Sequence, residues 1–157
     1  MAGRVRDSGI AVCPTVYGGM RTAQHFRQVG EAANPDDPTA IDRLEARLTN
    51  VGPFHRLGLS IVGGTDCGAT LTPFDVLLDE IIAFTSQGLS NAEALRAATS
   101  EGADQLGLSR RGHIAVGYEA DLVLLGDDPL ADLEALRRPL TVLKAGEVVH
   151  DAAEGDG

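Results

Sequence analysis

Apolar residues in the first part of the chain occur in two distinct patterns. Residues 9–15 and 59–62 are short, nearly continuous apolar runs bounded by Gly or Pro, and this pattern predicts strands buried on both faces. Elsewhere apolar residues recur at spacings of three and four, which is typical of amphipathic helices. The predicted helices cover residues 40–57, 73–87 and 90–106. This alternation of strands and helices indicates an α/β fold class.

Local signals at the ends of these elements support the division. Ser90 and Glu93 have the spacing of a capping box, and Thr72 is expected to cap the helix that begins at residue 73. Residues 17–38 show weak periodicity and are rich in Gly, Asn, Asp and Pro. We therefore predict a long loop there, with a helical turn near residues 22–29.

The pattern changes near residue 107, after which short apolar runs alternate with turn residues. The predicted strands are residues 112–117, 121–125, 140–144 and 147–150, the last two joined as a hairpin through Ala145 and Gly146. We place a domain boundary near residue 110. The division is an α/β unit at 1–110, a β segment at 111–152 and a disordered tail at 153–157.

Composition excludes several classes of protein. The chain has 157 residues and a formal net charge of −10, whereas binding to nucleic acid needs clustered Lys and Arg. No apolar run approaches the roughly 18 residues of a membrane span, and no signal peptide is visible, so no membrane partner is expected. Cys13 and Cys67 do not resemble a disulfide framework, so a reduced, cytoplasmic location is expected.

The most informative segment is residues 59–68, where an apolar run ends in two glycines and is followed at once by Asp66. A buried strand that carries an acid at its carboxyl end is typical of the catalytic edge of a barrel enzyme. An aspartate after a strand is also typical of a turn or a helix cap. Asp66 is the main candidate for a catalytic residue.

Several further motifs occur in order along nearly the whole chain. They are residues 9–15, 64–68, Glu80, residues 88–100, 102–103, 106–108, 112–114, Gly117, and residues 120–125, 128–130 and 142–146. A Gly-Thr-Asp sequence alone is a weak signal, but the ordered series is specific. In this series the chain resembles the C-terminal portion of the amidohydrolase superfamily, in its imidazolonepropionase-like branch.

The resemblance implies an α/β fold that is the C-terminal part of a (β/α)8 TIM-type barrel plus part of a small β-sandwich. In the family this sandwich is a composite domain built from both chain ends. Residues 9–15 would be barrel strand seven, residues 59–66 strand eight, residues 73–106 the closing helices, and residues 112–150 a share of the sandwich. Asp66 would then lie at the carboxyl-end mouth of the barrel.

The resemblance also implies a metal-dependent hydrolase that acts on non-peptide carbon–nitrogen bonds of a small-molecule substrate. The cofactor would be one or two divalent metal ions, with zinc expected. By resemblance, Asp66 would bind metal and transfer the proton between water and leaving group. Thr15, Tyr17, His25 and Cys67 are candidate substrate-binding residues by position, although a surface position for His25 and simple pocket lining for Cys67 are the alternatives.

The other metal ligands of the family have no counterpart in this sequence. The family uses a His-x-His pair on strand one, a Lys or Glu on strand four, and single histidines on strands five and six. The four histidines here are His25, His55, His113 and His150, and none forms a His-x-His pair. Since one carboxylate cannot hold a catalytic metal, we expect the isolated chain to be inactive and to bind metal only when the missing ligands are supplied.

The expected partner is therefore the missing N-terminal barrel half, or a second copy of the chain, because two parallel strands with open edges need neighbours. A different interpretation is a non-catalytic truncated protein or an interaction module that complements another barrel half. A His-x-His sequence in another chain or upstream would separate the two. A third interpretation, a β binding module formed by residues 110–150, has less support because the segment has no aromatic cluster or basic patch.

Overall fold

The computed structural model describes residues 2–30, 36–69 and 71–153. In these ranges the helices are α1 (Ala2–Asp7), α2 (Val16–Val29), α3 (Ala40–Leu48), α4 (Val51–Arg56), α5 (Leu77–Ser86), α6 (Asn91–Ala98) and α7 (Ser100–Gln105). They are followed by β1 (Leu122–Leu125), a 3₁₀ helix (Leu133–Arg137), β2 (Pro139–Lys144) and β3 (Glu147–Asp151). The structure is therefore mixed α/β, with helices first and a small sheet last.

The two predicted N-terminal strands lie side by side and parallel, but they pair through one bridge, between Val12 and Ile61. The Val12 amide donates to the Ser60 carbonyl at 2.8 Å, and the Val62 amide donates to the Val12 carbonyl at 2.9 Å. In a barrel each parallel strand has a neighbour on both sides. Each segment here has one neighbour among the described residues, which explains why the extended pairing stays short.

Helix α2 spans Val16–Val29, so the loop prediction is wrong for residues 17–21, while the predicted helical turn near residues 22–29 is confirmed as part of a longer helix. Gly18 and Gly19 weaken the local helix signal, yet they allow close packing. A Cβ atom on Gly19 would lie 2.6 Å from Leu48 Cδ2, and one on Gly18 would lie 2.9 Å from Thr72 Oγ1. Tertiary contacts therefore stabilise this helix against its propensity. Residues 31–35 of the predicted loop lie outside the described residues.

The predicted helix 40–57 is present as two helices, α3 and α4, which are separated at Thr49 and Asn50. Pro53 explains the break, because its ring would clash with the Thr49 carbonyl in a continuous helix and it has no N–H to donate. Ile41, Leu48 and Val51 nevertheless all point into the core, as the spacing predicts.

The predicted helix 90–106 is likewise divided, into α6 and α7, at Thr99. The Gly63 amide donates to the Ala97 carbonyl at 2.8 Å, so the end of the second parallel segment occupies an acceptor at the end of α6. The capping box at the start of α6 is confirmed. The Ser90 amide donates to Glu93 Oε2 at 2.8 Å, and the Glu93 amide donates to Ser90 Oγ at 3.3 Å.

Helix α5 begins at Leu77, so the expectation that Thr72 caps this helix is wrong. Thr72 is buried instead, in the loop between the second parallel segment and α5. Its amide donates to the Ala69 carbonyl at 3.0 Å, and its carbonyl accepts from the Gly68 amide at 2.8 Å. The residue therefore closes a tight loop rather than a helix end.

The sheet has the order β1-β2-β3 with both pairs antiparallel, and the predicted hairpin between β2 and β3 is confirmed. Ala145 and Gly146 both have positive φ, 51° and 85°, as a type I′ turn requires. Residues 112–117 form no strand, contrary to the prediction. The stretch begins against a helix instead, since a Cβ atom on Gly112 would lie 2.8 Å from the Ser100 Cα and 2.9 Å from the Ala103 Cβ. Ile114 and Val116 in that stretch are 90% and 105% exposed.

The 3₁₀ helix joins the sheet segment to the helices. Leu133 is 3% exposed and belongs to the same apolar cluster as Phe84, which is fully buried. Arg137 Nη2 donates to Asp79 Oδ1 at 2.6 Å, and Asn91 Nδ2 donates to the Leu130 carbonyl at 3.0 Å. These contacts fix the segment that leads into β2 onto α5 and α6.

The domain division at residue 110 stays a prediction, and residues 154–157 of the predicted tail lie outside the described residues. Within the described part of the chain, no helix has the length and apolar character needed to cross a membrane.

Substitution of Leu133 tests this attachment. Leu133→Ala should lower the free energy of unfolding by about 2–4 kcal/mol, because it leaves a cavity in the shared core. The matched control is Leu130→Ala, three residues earlier and 57% exposed, which should change it by less than about 0.5 kcal/mol. Urea unfolding followed by circular dichroism measures both. Equal effects of the two substitutions would contradict the attachment.

Candidate functional site

The segment that leads to Asp66 is held by close backbone contacts at its two glycines. A Cβ atom on Gly63 would lie 3.3 Å from the Ala98 Cα, and one on Gly64 would lie 2.4 Å from the Cys13 sulfur. Gly64 therefore has no room for a side chain, because the thiol of the neighbouring parallel segment occupies that position. These contacts fix where the chain turns toward Asp66.

Asp66 itself has a left-handed backbone, with φ of 51°. Residues other than Gly rarely adopt left-handed backbone conformations, and those that do often lie at functional sites. The loop behind it is ordered by the Cys67 amide, which donates to Thr65 Oγ1 at 3.2 Å. The Asp66 side chain is exposed, and no hydrogen-bond donor from the described residues reaches its carboxylate. The carboxylate is therefore available to water or to a ligand.

Asp66 lines a cavity of about 370 Å³ at the carboxyl ends of the two parallel segments. The lining residues come from the start of α2, from α3 and from the loop that follows Asp66. They are Pro14, Thr15, Gly18, Gly19, Thr22, Leu44, Arg47, Leu48, Asp66, Ala69 and Thr72. The cavity thus combines a carboxylate, a guanidinium and three hydroxyl groups with an apolar floor.

The wall opposite Asp66 is the turn at Thr15, which also has a left-handed backbone, with φ of 48°. Helix α2 begins directly after it, and the Thr15 side chain makes no capping hydrogen bond. Instead, the carboxylate of Glu80, from α5, accepts hydrogen bonds from the first two backbone amides of α2. Val16 N donates to Oε1 at 2.8 Å and Tyr17 N donates to Oε2 at 2.7 Å.

Glu80 is fully buried, with 0% of its surface exposed. Burial raises the pKa of its carboxyl, while the two backbone N–H bonds act to lower that pKa. Cys13 lies within the influence of the same charges. Cys13 is exposed, yet the pKa of its thiol is raised, chiefly by partial desolvation of the sulfur and further by the negative charges of Glu80 and Asp66. Cys13 is therefore a protonated thiol near neutral pH and not a thiolate nucleophile.

Of the residues that the sequence singled out, Thr15 and Asp66 line the same cavity. Tyr17 is half-buried, and its hydroxyl oxygen accepts from Arg21 Nη1 at 3.3 Å. His25 lies exposed on α2, edge-to-face with Phe26 at a ring distance of 5.4 Å. Cys67 is exposed directly beside Asp66. Tyr17, His25 and Cys67 are outside the cavity lining, and substrate contact by all four residues stays a prediction.

The other three histidines lie away from this cavity. His55 Nε2 lies 3.1 Å from Glu93 Oε1, His113 packs edge-to-face on Tyr118 at 5.7 Å, and His150 is exposed on β3. Across residues 2–30, 36–69 and 71–153, no three His, Cys, Asp or Glu side chains are grouped so as to hold a metal ion. These residues by themselves do not fit a catalytic metal.

Sequence reasoning missed two residues of this region. Glu80 belongs to the motif series, but the sequence alone assigned it no function. It lies one helical turn before Phe84, which places an acid on the apolar face of α5. A carboxylate on a buried face must find hydrogen-bond donors, so the pattern did contain a signal. Arg47 lines the cavity from α3, and its sequence context gave no signal.

Comparison with known proteins identifies the class. The model of the amidohydrolase family matches residues 8–149, nearly the whole chain, and the chain belongs to the amidohydrolase family. Within it, the chain is similar to imidazolonepropionases from Anaeromyxobacter dehalogenans (strain 2CP-1 / ATCC BAA-258) and Anaeromyxobacter sp. (strain K). Each is 47% identical over 68 residues, which are 41% of this chain and 16% of the relative. The resemblance to the imidazolonepropionase-like branch is confirmed.

Solved structures show the same fold. A Xaa-Pro dipeptidase with methionine bound in its active site superposes with a TM-score of 0.84 at 20% identity, over 95% of this chain and 36% of the dipeptidase. A putative prolidase from Bifidobacterium longum gives a TM-score of 0.78 at 33% identity, over 88% of this chain and 35% of the prolidase. The chain thus spans a minor part of each relative. Which part of the barrel it represents stays a prediction.

The contact between Gly64 and Cys13 can be tested by a double-mutant cycle. Gly64→Ala should lower the free energy of unfolding by about 1–3 kcal/mol, since the new methyl group meets the sulfur. In a Cys13→Ala background the same change should cost much less, because the sulfur is absent. Urea unfolding of the four proteins gives the interaction energy. Simple additivity would show that the two segments do not pack as described.

Proposed function

We propose that this chain contributes the Asp66 carboxylate to the site of a metal-dependent amidohydrolase that hydrolyses a non-peptide carbon–nitrogen bond in a small molecule. The observation that carries the proposal is the placement of Asp66, in a left-handed turn at the end of a parallel segment and beside a polar cavity. Family membership and the imidazolonepropionase relatives support the same reaction class. The dipeptidase and prolidase neighbours make a peptide-like bond the second candidate.

In this proposal Asp66 moves a proton. Its carboxylate accepts a proton from the water that attacks the carbon of the carbon–nitrogen bond, and then delivers that proton to the nitrogen as the bond breaks. An acceptor with this role must be free to contact water. The exposed Asp66 carboxylate, which has no competing donor among the described residues, meets that requirement.

The cavity also favours a particular kind of substrate. Arg47 lines the same cavity as Thr15 and Thr72, whose hydroxyls can donate or accept hydrogen bonds. A guanidinium fork matches a carboxylate or another planar anion. We therefore propose that the substrate carries a negatively charged group.

The remaining metal ligands must come from polypeptide other than the described residues, either in the same chain or in a separate one. We propose that this polypeptide is an N-terminal barrel half, and that one or two divalent ions, with zinc expected, bind when it is in place. Exposed apolar side chains support such a partner, since Phe74, Ile114 and Val116 are 82%, 90% and 105% exposed. Each parallel segment also has an edge for a further strand.

Two alternatives differ from this proposal in what they predict. A second copy of the chain would cover the same apolar surfaces but would add no His-x-His sequence. A non-catalytic module would bind a barrel half without forming a metal site. The metal content of the chain, measured when a barrel half is present, therefore distinguishes both alternatives from the proposal.

Co-expression tests the proposal. The chain would be produced with a separate polypeptide that holds the first six strand–helix units of an amidohydrolase, including its His-x-His pair. The purified complex should retain zinc, measured by mass spectrometry, and should hydrolyse an N-acyl or cyclic amide substrate. Asp66→Asn should lower turnover by about 100-fold or more, because the proton acceptor is lost.

The matched control is Asp75→Asn, which removes an exposed carboxylate nearby on the same loop and should leave turnover within a few-fold. The chain produced alone should contain no stoichiometric zinc. Stoichiometric zinc in the chain alone, or unchanged turnover of the complex with Asp66→Asn, would overturn the proposal. A stable complex without zinc would favour the non-catalytic module.

A further inference from the structure

Glu80 is a charged side chain in the middle of an apolar core. It is 0% exposed on α5, in the company of the buried residues Ile81, Ala83 and Phe84. A carboxylate in such a place is costly unless donors satisfy both oxygens. Here each oxygen accepts one backbone N–H, from Val16 at 2.8 Å and from Tyr17 at 2.7 Å.

These two amides are the first two of α2, and they have no acceptor within their own helix. A residue just before the helix normally supplies the acceptor through its side chain. Thr15 occupies that position, but with φ of 48° and ψ of 54° its side chain makes no capping bond. Glu80 therefore performs the capping from another helix, across 63 and 64 residues of sequence.

The capped turn is also one wall of the cavity that contains Asp66. Thr15 and Gly18 line the cavity on this side, and Asp66 and Thr72 line it on the other. The two sides touch at Gly18, where a Cβ atom would lie 2.9 Å from Thr72 Oγ1 and 3.5 Å from the Thr65 carbonyl oxygen. A shift of the first turn of α2 would therefore be transmitted to the Asp66 loop.

We propose that Glu80 is a positioning residue for this cavity, whose ionised carboxylate fixes the left-handed Thr15 turn and the start of α2 opposite Asp66. The geometric part of this inference is independent of the reaction. Its importance for substrate rests on the proposed function of the cavity.

The electrostatics of Glu80 suit positioning better than global stabilisation. Because burial raises its folded-state pKa above the unfolded value, its favourable contribution is fully present below the unfolded pKa and is lost as the pH rises through the folded pKa. Where Glu80 is ionised, its side chain is thus retained at a cost to the fold. The two backbone N–H groups favour the ionised form and localise its effect at Val16 and Tyr17.

Amide spectroscopy of the full chain tests the inference without any substrate. In ¹H–¹⁵N correlation spectra, the amide protons of Val16 and Tyr17 should titrate together with one midpoint, moving downfield as Glu80 ionises. In Glu80→Gln this shared titration should vanish, since the amide side chain offers one acceptor and turns its N–H₂ toward the other backbone N–H. Hydrogen exchange at Val16 and Tyr17 should accelerate by about 10-fold or more, the loss expected for one hydrogen bond.

A separate measurement tests whether the start of α2 is coupled to the Asp66 loop across the cavity. In Glu80→Gln the amide resonances of Asp66 and Thr72 should also shift, while exchange in Asn91–Ala98 stays unchanged. Glu101→Gln is the matched control, because Glu101 is a half-buried carboxylate that accepts from Ser60 Oγ at 2.9 Å and not from the amides of α2. It should leave the joint titration of Val16 and Tyr17 intact. Glu80→Asp, which keeps the charge, should restore part of that titration.

Several results would overturn the inference. Amide shifts of Val16 and Tyr17 that do not depend on pH in the unsubstituted chain would show that Glu80 does not hold them. Shifts confined to these two residues in Glu80→Gln would reduce Glu80 to a helix cap. Faster exchange throughout α6 would make its role a general structural one. Since none of these readouts involves catalysis, their failure is distinct from a failure of the proposed reaction.

Discussion

The pairing of two short parallel segments is the constraint on which the rest of this structure depends. Val12 exchanges backbone hydrogen bonds with Ser60 and Val62, at 2.8 and 2.9 Å. Because the carboxyl ends of parallel strands lie at one edge, the same pairing brings Thr15 and Asp66 to one cavity. The helices that follow each segment then pack on this pair, and they determine the shape of the cavity around it.

Of the three non-glycine residues with positive φ in the described part of the chain, two lie at this edge, and the third is Ala145 in the β2–β3 turn. Thr15 and Asp66 are both left-handed, with φ of 48° and 51°, and Glu80 is a fully buried acid directly behind the Thr15 turn. Left-handed backbone and buried charge each cost free energy, and they persist where function needs a fixed geometry. Their proximity, within a chain of the amidohydrolase family, is the physical reason for proposing that the cavity is a functional site.

Local sequence signals predicted local structure well, while features that depend on contacts between distant residues could not be predicted. The capping box at Ser90 and the turn at Ala145 were predictable because each lies within a few residues of sequence. Helix α2 was not, since Gly18 and Gly19 weaken it locally and packing restores it. The placement of Asp66 at the end of a parallel segment could be predicted from the apolar run before it. The role of Glu80 could not, because the amides that it holds lie 63 and 64 residues away.

The most direct test of the central claim is hydrogen exchange at the amides of Val12 and Val62. If the two segments pair as described, both amides should exchange at least about 100-fold more slowly than in an unstructured chain, because each is held in a hydrogen bond between the segments. Exchange of both amides at the unstructured rate would contradict the account. In that case the backbone pairing that places Thr15 and Asp66 at one edge would be absent.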